Sequence, residues 1–292
     1  MPTIFSKLWI PVAASFGLQI AAGAIFVPLK NERYFDLIGT SGHIISAGIS
    51  LYGPSLYRHL DSGHSLTTYK VPPLLSLSPR KLVVTAVFSL WAARLAWFLS
   101  RRIKAEGRDS RFDDIKQSPT RFFAAWFIQG AWVAIVGLPI WLNNAIPLRS
   151  IRPWGPMDAA LLGLVVLSLG GEALADAQKS QWRKEKKEGK HTEKFIQRGL
   201  WSLSRHPNYV GEALFQTSVF ALACRSLLAP SIPWQAPVLG ALAPLFTYTL
   251  LRYMSGVPPL EEAAEKKWGD DPAWKRYKST TPVFWPWMKV YD

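Results

Sequence analysis

Residues 122–142 read FFAAWFIQGAWVAIVGLPIWL, without one charged side chain. About 20 predominantly apolar residues carry an α-helix across the hydrocarbon layer of a bilayer, so this run predicts a membrane-spanning helix. Residues 232–251, IPWQAPVLGALAPLFTYTLL, repeat the pattern. Apolar runs at Leu8–Leu29, Leu82–Leu99, Met157–Ala177 and Tyr209–Leu228 extend it. The weakest, Leu37–Tyr57, is rich in Gly and Ser; its Gly39, Gly42, Ser46 and Ser50 predict close approach of another helix. The expectation is an all-α, polytopic membrane protein with seven transmembrane helices. Its first run is too long for a signal-peptide core and reads as a retained span.

Composition agrees. Of 292 residues, 49% are hydrophobic and 14 are Trp, a load suited to aromatic belts at a membrane interface. The mean hydropathy of only +0.08 requires polar connections between the spans. The formal charge of +14 does not call for nucleic acid, because the basic residues flank apolar spans and form no stripe on a soluble fold. Residues 101–121, 178–206 and 252–292 hold seven, nine and seven of the 34 Lys and Arg, against four, two and one in 58–81, 143–156 and 225–231. By the positive-inside rule the C-terminus is cytosolic and the N-terminus luminal or exterior. With Cys224 alone there is no intrachain disulfide and no cysteine zinc site, and the scattered His residues predict no metal.

Polar residues gather at the predicted cytosolic ends. On a helix continuing past the fifth span, Glu172, Asp176, Lys179 and Arg183 fall at about 0°, 40°, 340° and 20°, a single stripe. Surface pairing explains part of it, yet Glu172 lies inside the span, where an unpaired carboxylate is expensive. In GLWSLSRHPNYVGEALF, residues 199–215, Pro207 suits a first helical turn, so a helix starts near His206. Its free N–H groups and positive end face the cytosol with Arg205 beside them, an anion site in waiting. Asn208 and Glu212 share a face one turn deeper, and Gly211 between them permits another backbone or a flat ligand to come close. Arg and Lys for phosphates, carboxylates for ribose hydroxyls and an amide for a base edge make the inventory of a nucleotide-shaped cofactor.

The tail predicts a short helix from Pro259 to Trp268 that ends at Gly269 and folds back as a cap. Glu261 and Glu262 would sit in its first turn, where the helix dipole accounts for them. Phe284, Trp285 and Trp287 suit a membrane interface. Arg94, within the third span, needs an acid partner or an aqueous cavity. No dinucleotide fingerprint, P-loop, nucleophile elbow or H-E-x-x-H is present.

Together, GLWSLSRHPNYVGE, the preceding EALADAQKSQWR and the following SGVPPLEEAAEKKWGDDPAWKRYKSTTPVFWPW resemble the C-terminal domain of the steroid 5α-reductase superfamily, closest to a branch with R-H-P-N-Y-x-G-E and S-G-V-P strings. The resemblance covers about Arg101–Asp292 and implies a reductase-like membrane domain at 80–292 with a cytosolic cap, residues 1–79 being poorly matched N-terminal helices. It implies NADPH in a cytosol-facing pocket and reduction of a carbon–carbon double bond in a sterol or other lipid, in the endoplasmic reticulum membrane. Carried over by motif, Glu172, Asp176, Arg205, His206, Asn208, Tyr209, Glu212, Lys275 and Tyr277 fall on the cofactor pocket, and Lys179 and Arg183 join the cofactor-binding candidates from the stripe on the fifth helix; Tyr209 is the candidate proton donor, with Tyr248 and Tyr253 as others. No Gln-Glu pair of the steroid enzymes is found in residues 1–100, so a steroid substrate is not implied. The R-H-P-x-Y-x-G string is also similar to isoprenylcysteine and phospholipid methyltransferases, which bind S-adenosylmethionine and carry an acidic pair in the tail, here Glu261 and Glu262. A lipid-binding membrane protein without catalysis is the third reading.

Overall fold

The computed structural model describes residues 4–107 and 109–288, and helix is the only regular structure among them. In chain order the longer helices are α1 (Trp9–Phe26), α2 (Phe35–Asp61), α3 (Pro79–Glu106), α4 (Pro119–Ala145), α5 (Pro156–Lys187), α6 (Pro207–Leu227), α7 (Gln235–Thr249), α8 (Val257–Trp268) and α9 (Pro272–Thr280). Each apolar run of the sequence falls on one of α1–α7. Among the described residues four helical segments are long and apolar enough to cross a membrane: Phe5–Phe26, Pro79–Lys104, Pro119–Ala145 and Pro156–Lys187. Leu90, Ile128 and Leu167 point outward from them, an apolar exterior that suits lipid rather than water. The protein is an integral membrane protein.

Proline sets several helix starts, because its missing N–H is no loss in a first turn. Pro119 follows Ser118, whose hydroxyl accepts from the Arg121 N–H, and Pro272 follows Asp271, whose carboxylate accepts from the Ala273 N–H at 2.8 Å. At the other end, α3 stops on Gly107 at φ 79°, a left-handed conformation that glycine adopts without strain. α7 runs into a single π-helical stretch, Leu250–Met254.

The chain forms two compact units, Met1–Asp158 with Val219–Ala243, and Ala159–Ser218 with Pro244–Asp292. In the first, α1–α4 pack on one another, with α2 touching each of the other three. Phe26, Phe35, Phe112, Phe122 and Trp126 form an aromatic core there. The small face of α2 admits α1 and α4, and side-chain amides make the contact. The Gln129 side chain lies over Gly39, where a Cβ would stand 2.3 Å from Nε2, and the Gln19 amide lies over Gly42 at 3.1 Å. Each amide donates to a carbonyl of α2 or its first turn, Gln129 to Phe35 O at 3.2 Å and Gln19 to Ile38 O at 3.4 Å. Glycine therefore makes room for polar glue between helices.

Two further buried polar groups organise this unit. Asn144 donates to the hydroxyls of Ser50 and Thr85 at 2.8 and 2.9 Å. Arg80, 1% exposed, pairs with Asp158 at 2.8 Å, donates to the Arg152 and Pro153 carbonyls, and lies over the Trp154 ring. That arrangement pins residues 152–158 against the start of α3.

The second unit holds most of α5, the first half of α6, and the tail. The tail helix starts at Val257, two residues before the predicted Pro259, because Pro258 supplies the preset φ at its first turn. Glu261 and Glu262 therefore lie beyond the first turn, which contains no acid. Gly269 closes the helix at φ −53°, in right-handed conformation, and α9 follows. Phe284 is buried with Val210, Ala213 and Val257 instead of lying at an interface, while Trp285 and Trp287 stack on each other beside it.

Candidate functional site

The second unit brings most of the candidate residues together around the start of α6. Gly211 meets α5 there: a Cβ on it would lie 2.7 Å from Glu172 Cβ and 2.8 Å from Glu172 N. The close backbone approach anticipated at Gly211 is thus filled by α5, and it puts Glu172, buried at 4% exposure, directly under the N-Y-V-G-E turn. Asp176 and Lys179 follow along α5, half-buried. Lys179 Nζ sits 4.4 Å above the Trp201 ring, a cation–π contact.

Trp201 is the pivot of the loop before α6. Its indole N–H donates to Ala175 O at 3.0 Å, and its carbonyl accepts from the Tyr277 hydroxyl at 2.5 Å. Leu200 N–H donates to the Gln178 side chain at 2.9 Å, beside Gly199 at φ +62°. Tyr277 in turn belongs to a buried aromatic group with Phe195 and Trp274. Burial raises the Tyr277 hydroxyl above its ordinary value, so it stays protonated and serves as a donor.

At the start of α6, Arg205 and His206 converge on Glu261 of α8. His206 Nε2 stands 2.7 Å from one carboxylate oxygen, and the Arg205 guanidinium 3.2 Å from the other. The main chain supports both, since Arg205 N–H donates to Pro282 O at 2.9 Å and His206 N–H to the Ser204 hydroxyl at 3.2 Å. Burial holds His206 below the ordinary histidine value, against the raising influence of Glu261. Burial pushes Glu261 up, but the His206 bond and the Arg205 and Lys278 charges outweigh it and hold Glu261 below the ordinary carboxylate value. The pair is therefore a neutral imidazole, donating from Nε2, and a carboxylate. That tautomer leaves Nδ1 of His206 an acceptor, buried without a partner, and Nε of Arg205 is likewise buried and unused.

Tyr209 stacks on His206, ring centroids 5.7 Å apart and planes 8° from parallel. Asn208 is half-buried beside it, and Glu212 accepts from the Gln216 amide one turn on at 3.0 Å. Tyr248 and Tyr253 meet edge to face, and Tyr248 also stacks on Trp285. Arg183 and Lys275 are exposed. Glu261, not a leading candidate in the sequence, ties the side chains of the R-H-P turn to the tail. A depression of ≈ 650 Å³ lined by Lys186, Lys194 and residues 265–272 shares none of the candidate residues. Among the described residues no group of three His, Cys, Asp or Glu is placed to hold a metal ion.

A family model described as Protein of unknown function (DUF1295) matches residues 65–281. The chain belongs to this family. No curated protein and no solved structure matches it.

Proposed function

We propose that this member of the family is a membrane-embedded, NADPH-dependent reductase of a carbon–carbon double bond in a sterol or other lipid enone. In this reading the chain crosses the endoplasmic reticulum membrane seven times, α2, α6 and α7 joining the four helices long and apolar enough to span, with the C-terminus cytosolic. The distribution of Lys and Arg supports that orientation.

The observation that carries the reading is the Arg205–His206–Glu261 group, with an unused acceptor and an unused donor buried in it. Buried polar atoms without partners are costly, and a ligand offering both a donor and an anionic oxygen relieves that cost. A ribose-phosphate offers both, so the residues present fit a dinucleotide. Arg205 and Lys179 would hold phosphate, His206 Nδ1 would accept from a hydroxyl or amide, and Asp176, Asn208 and Glu212 would hold ribose or the carboxamide. Glu172, under the turn, and Tyr277, through Trp201, would fix the walls; exposed Arg183 and Lys275 are left for the 2′-phosphate side. When bound, NADPH supplies the hydride. Tyr209, oriented by its stack on His206, is the proton donor in this scheme.

Glu261 favours a second reading. The methyltransferases that the R-H-P-x-Y-x-G string is similar to bind S-adenosylmethionine and carry an acidic pair in the tail, and Glu261 does approach that string here. Glu262 does not; it is exposed and pairs with Lys266. The test is titration of detergent-purified protein with NADPH, NADH and S-adenosylmethionine in parallel. Selective NADPH binding that is lost in Asn208→Ala and Glu212→Ala, both still folded, is the expected result. Unchanged affinity in both variants refutes the site assignment. Selective S-adenosylmethionine binding transfers the protein to the second reading, and binding of none favours a non-catalytic lipid-binding role.

A further inference from the structure

The first unit carries a concentration of positive charge that the reading above does not use. Lys7 Nζ donates to Ala145 O at 3.1 Å. Lys81 Nζ donates to Asn144 O at 2.6 Å and to Ile146 O at 2.8 Å. Two ammonium groups thus sit on three consecutive carbonyls at the end of α4. Arg58 lies near the end of α2, five residues beyond Gly53, where a Cβ would stand 4.0 Å from Lys7 O. Among the described residues none of the three has a carboxylate partner, although Lys81 is only 5% exposed.

The end of a helix offsets roughly half an elementary charge. Three cations therefore exceed what the α4 carbonyls neutralise, and holding a buried cation without an opposing charge is costly. The donors are also unspent. An ammonium offers three N–H groups and a guanidinium five. Lys81 spends two on carbonyls and Lys7 one, while Arg58 spends only Nε, on Pro54 O at 3.3 Å. What remains is two ammonium groups and a nearly free guanidinium fork, the donor set that a tetrahedral, several-oxygen anion satisfies.

We infer that Lys7, Arg58 and Lys81 form a binding site for an anionic phosphate group. It lies where α1 and α3 begin and α2 and α4 end, so it is at the depth where helices leave the apolar layer and phospholipid headgroups lie. Lys81 is the fixed floor of the site, locked by its two carbonyls, and Lys7 and Arg58 are its accessible rim. The site is independent of the cofactor reading, because it shares no residue with it.

The experiment uses the full chain in mild detergent. Native mass spectrometry measures binding of dioleoyl phosphatidylglycerol and dioleoyl phosphatidylcholine, and thermal unfolding is followed with and without millimolar inorganic phosphate. The variants are Lys7→Gln/Arg58→Gln, which spares the buried Lys81, and Lys184→Gln/Lys187→Gln, which removes the same charge elsewhere. Each headgroup-facing cation is worth about fivefold in affinity, so the first double variant weakens phosphatidylglycerol binding about thirtyfold, whereas the second leaves it nearly unchanged. Preference for phosphatidylglycerol over phosphatidylcholine, lost in the first variant, assigns the site to lipid. Stabilisation by inorganic phosphate, lost in the same variant and without lipid preference, assigns it to a free phosphate. Equal binding by wild type and the first variant, or equal loss in both variants, overturns the proposal. Should the double variant fail to fold, Arg58→Gln alone, at an exposed residue, reads the expected fivefold loss.

Discussion

Removing the carboxylate of Glu261 tests whether the tail is held to the R-H-P turn by charge. Glu261→Ala deletes the 2.7 Å bond from His206 and the 3.2 Å contact from Arg205, and leaves the His206 ring with neither nitrogen bonded. A hydrogen bond to a charged group contributes about 1.5–3 kcal/mol, and the longer Arg205 contact, partly open to solvent, adds little. The expected loss is about 2–3 kcal/mol in the docking of α8, with Glu261→Gln losing about half of that because the amide oxygen still accepts from His206. Hydrogen exchange of the α8 amides in detergent reads this local opening directly. A double-mutant cycle with His206→Ala isolates the pair, with an expected coupling of about 1–2 kcal/mol. Acidification should act in the same direction. His206 lies below its ordinary value when α8 is docked, so the undocked state binds more protons once the pH falls below about 6.5, and docking weakens from there. Glu261, also held low, keeps its contribution until the pH falls below about 4.3 and then loses it. Protection of α8 that is insensitive to Glu261→Ala, or that improves on acidification, would refute the charge-held tail.

Other consequences can be checked in the same preparation. Gly211→Ala puts a Cβ 2.7 Å from Glu172 Cβ and should cost about 1–3 kcal/mol in thermal unfolding, whereas Gly163→Ala, with open space around it, should be neutral or slightly stabilising; a reversed order would show that α5 and α6 do not cross at Gly211. Arg80→Met leaves Asp158 buried with only the Gly155 N–H and a 3.5 Å contact from Arg225, and should cost about 3–5 kcal/mol; a variant as stable as wild type would remove the pair from the account of the fold. A glycosylation acceptor placed near Lys187 should stay unmodified in microsomes, and its modification would invert the proposed orientation.

The helices were legible because each apolar run is long, and length is what a bilayer demands. The start of α6 was legible from Pro207 alone, and the meeting at Gly211 from a glycine set between polar positions. Glu261 was not. It stands 55 residues from His206, and no local period links a tail acid to a loop imidazole. A helix start at Val257, which shifts Glu261 out of the first turn, was the missing step. α9 was readable in principle, since Asp271-Pro272 is a cap followed by a first-turn proline. The exposure of Arg183 and Lys275 was beyond the sequence, because the stripe on α5 and the basic tail carry no information on where a neighbour stops.

The glutamine amides that rest on Gly39 and Gly42 bear on how the protein is made. Gln19 emerges from the ribosome before α2, but Gln129 emerges some ninety residues after Gly39. During synthesis α2, the least apolar of the early helices, therefore waits half-clasped, gripped from α1 and bare toward the place of α4. A nascent chain halted after α3 therefore keeps that side of α2 bare until α4 arrives.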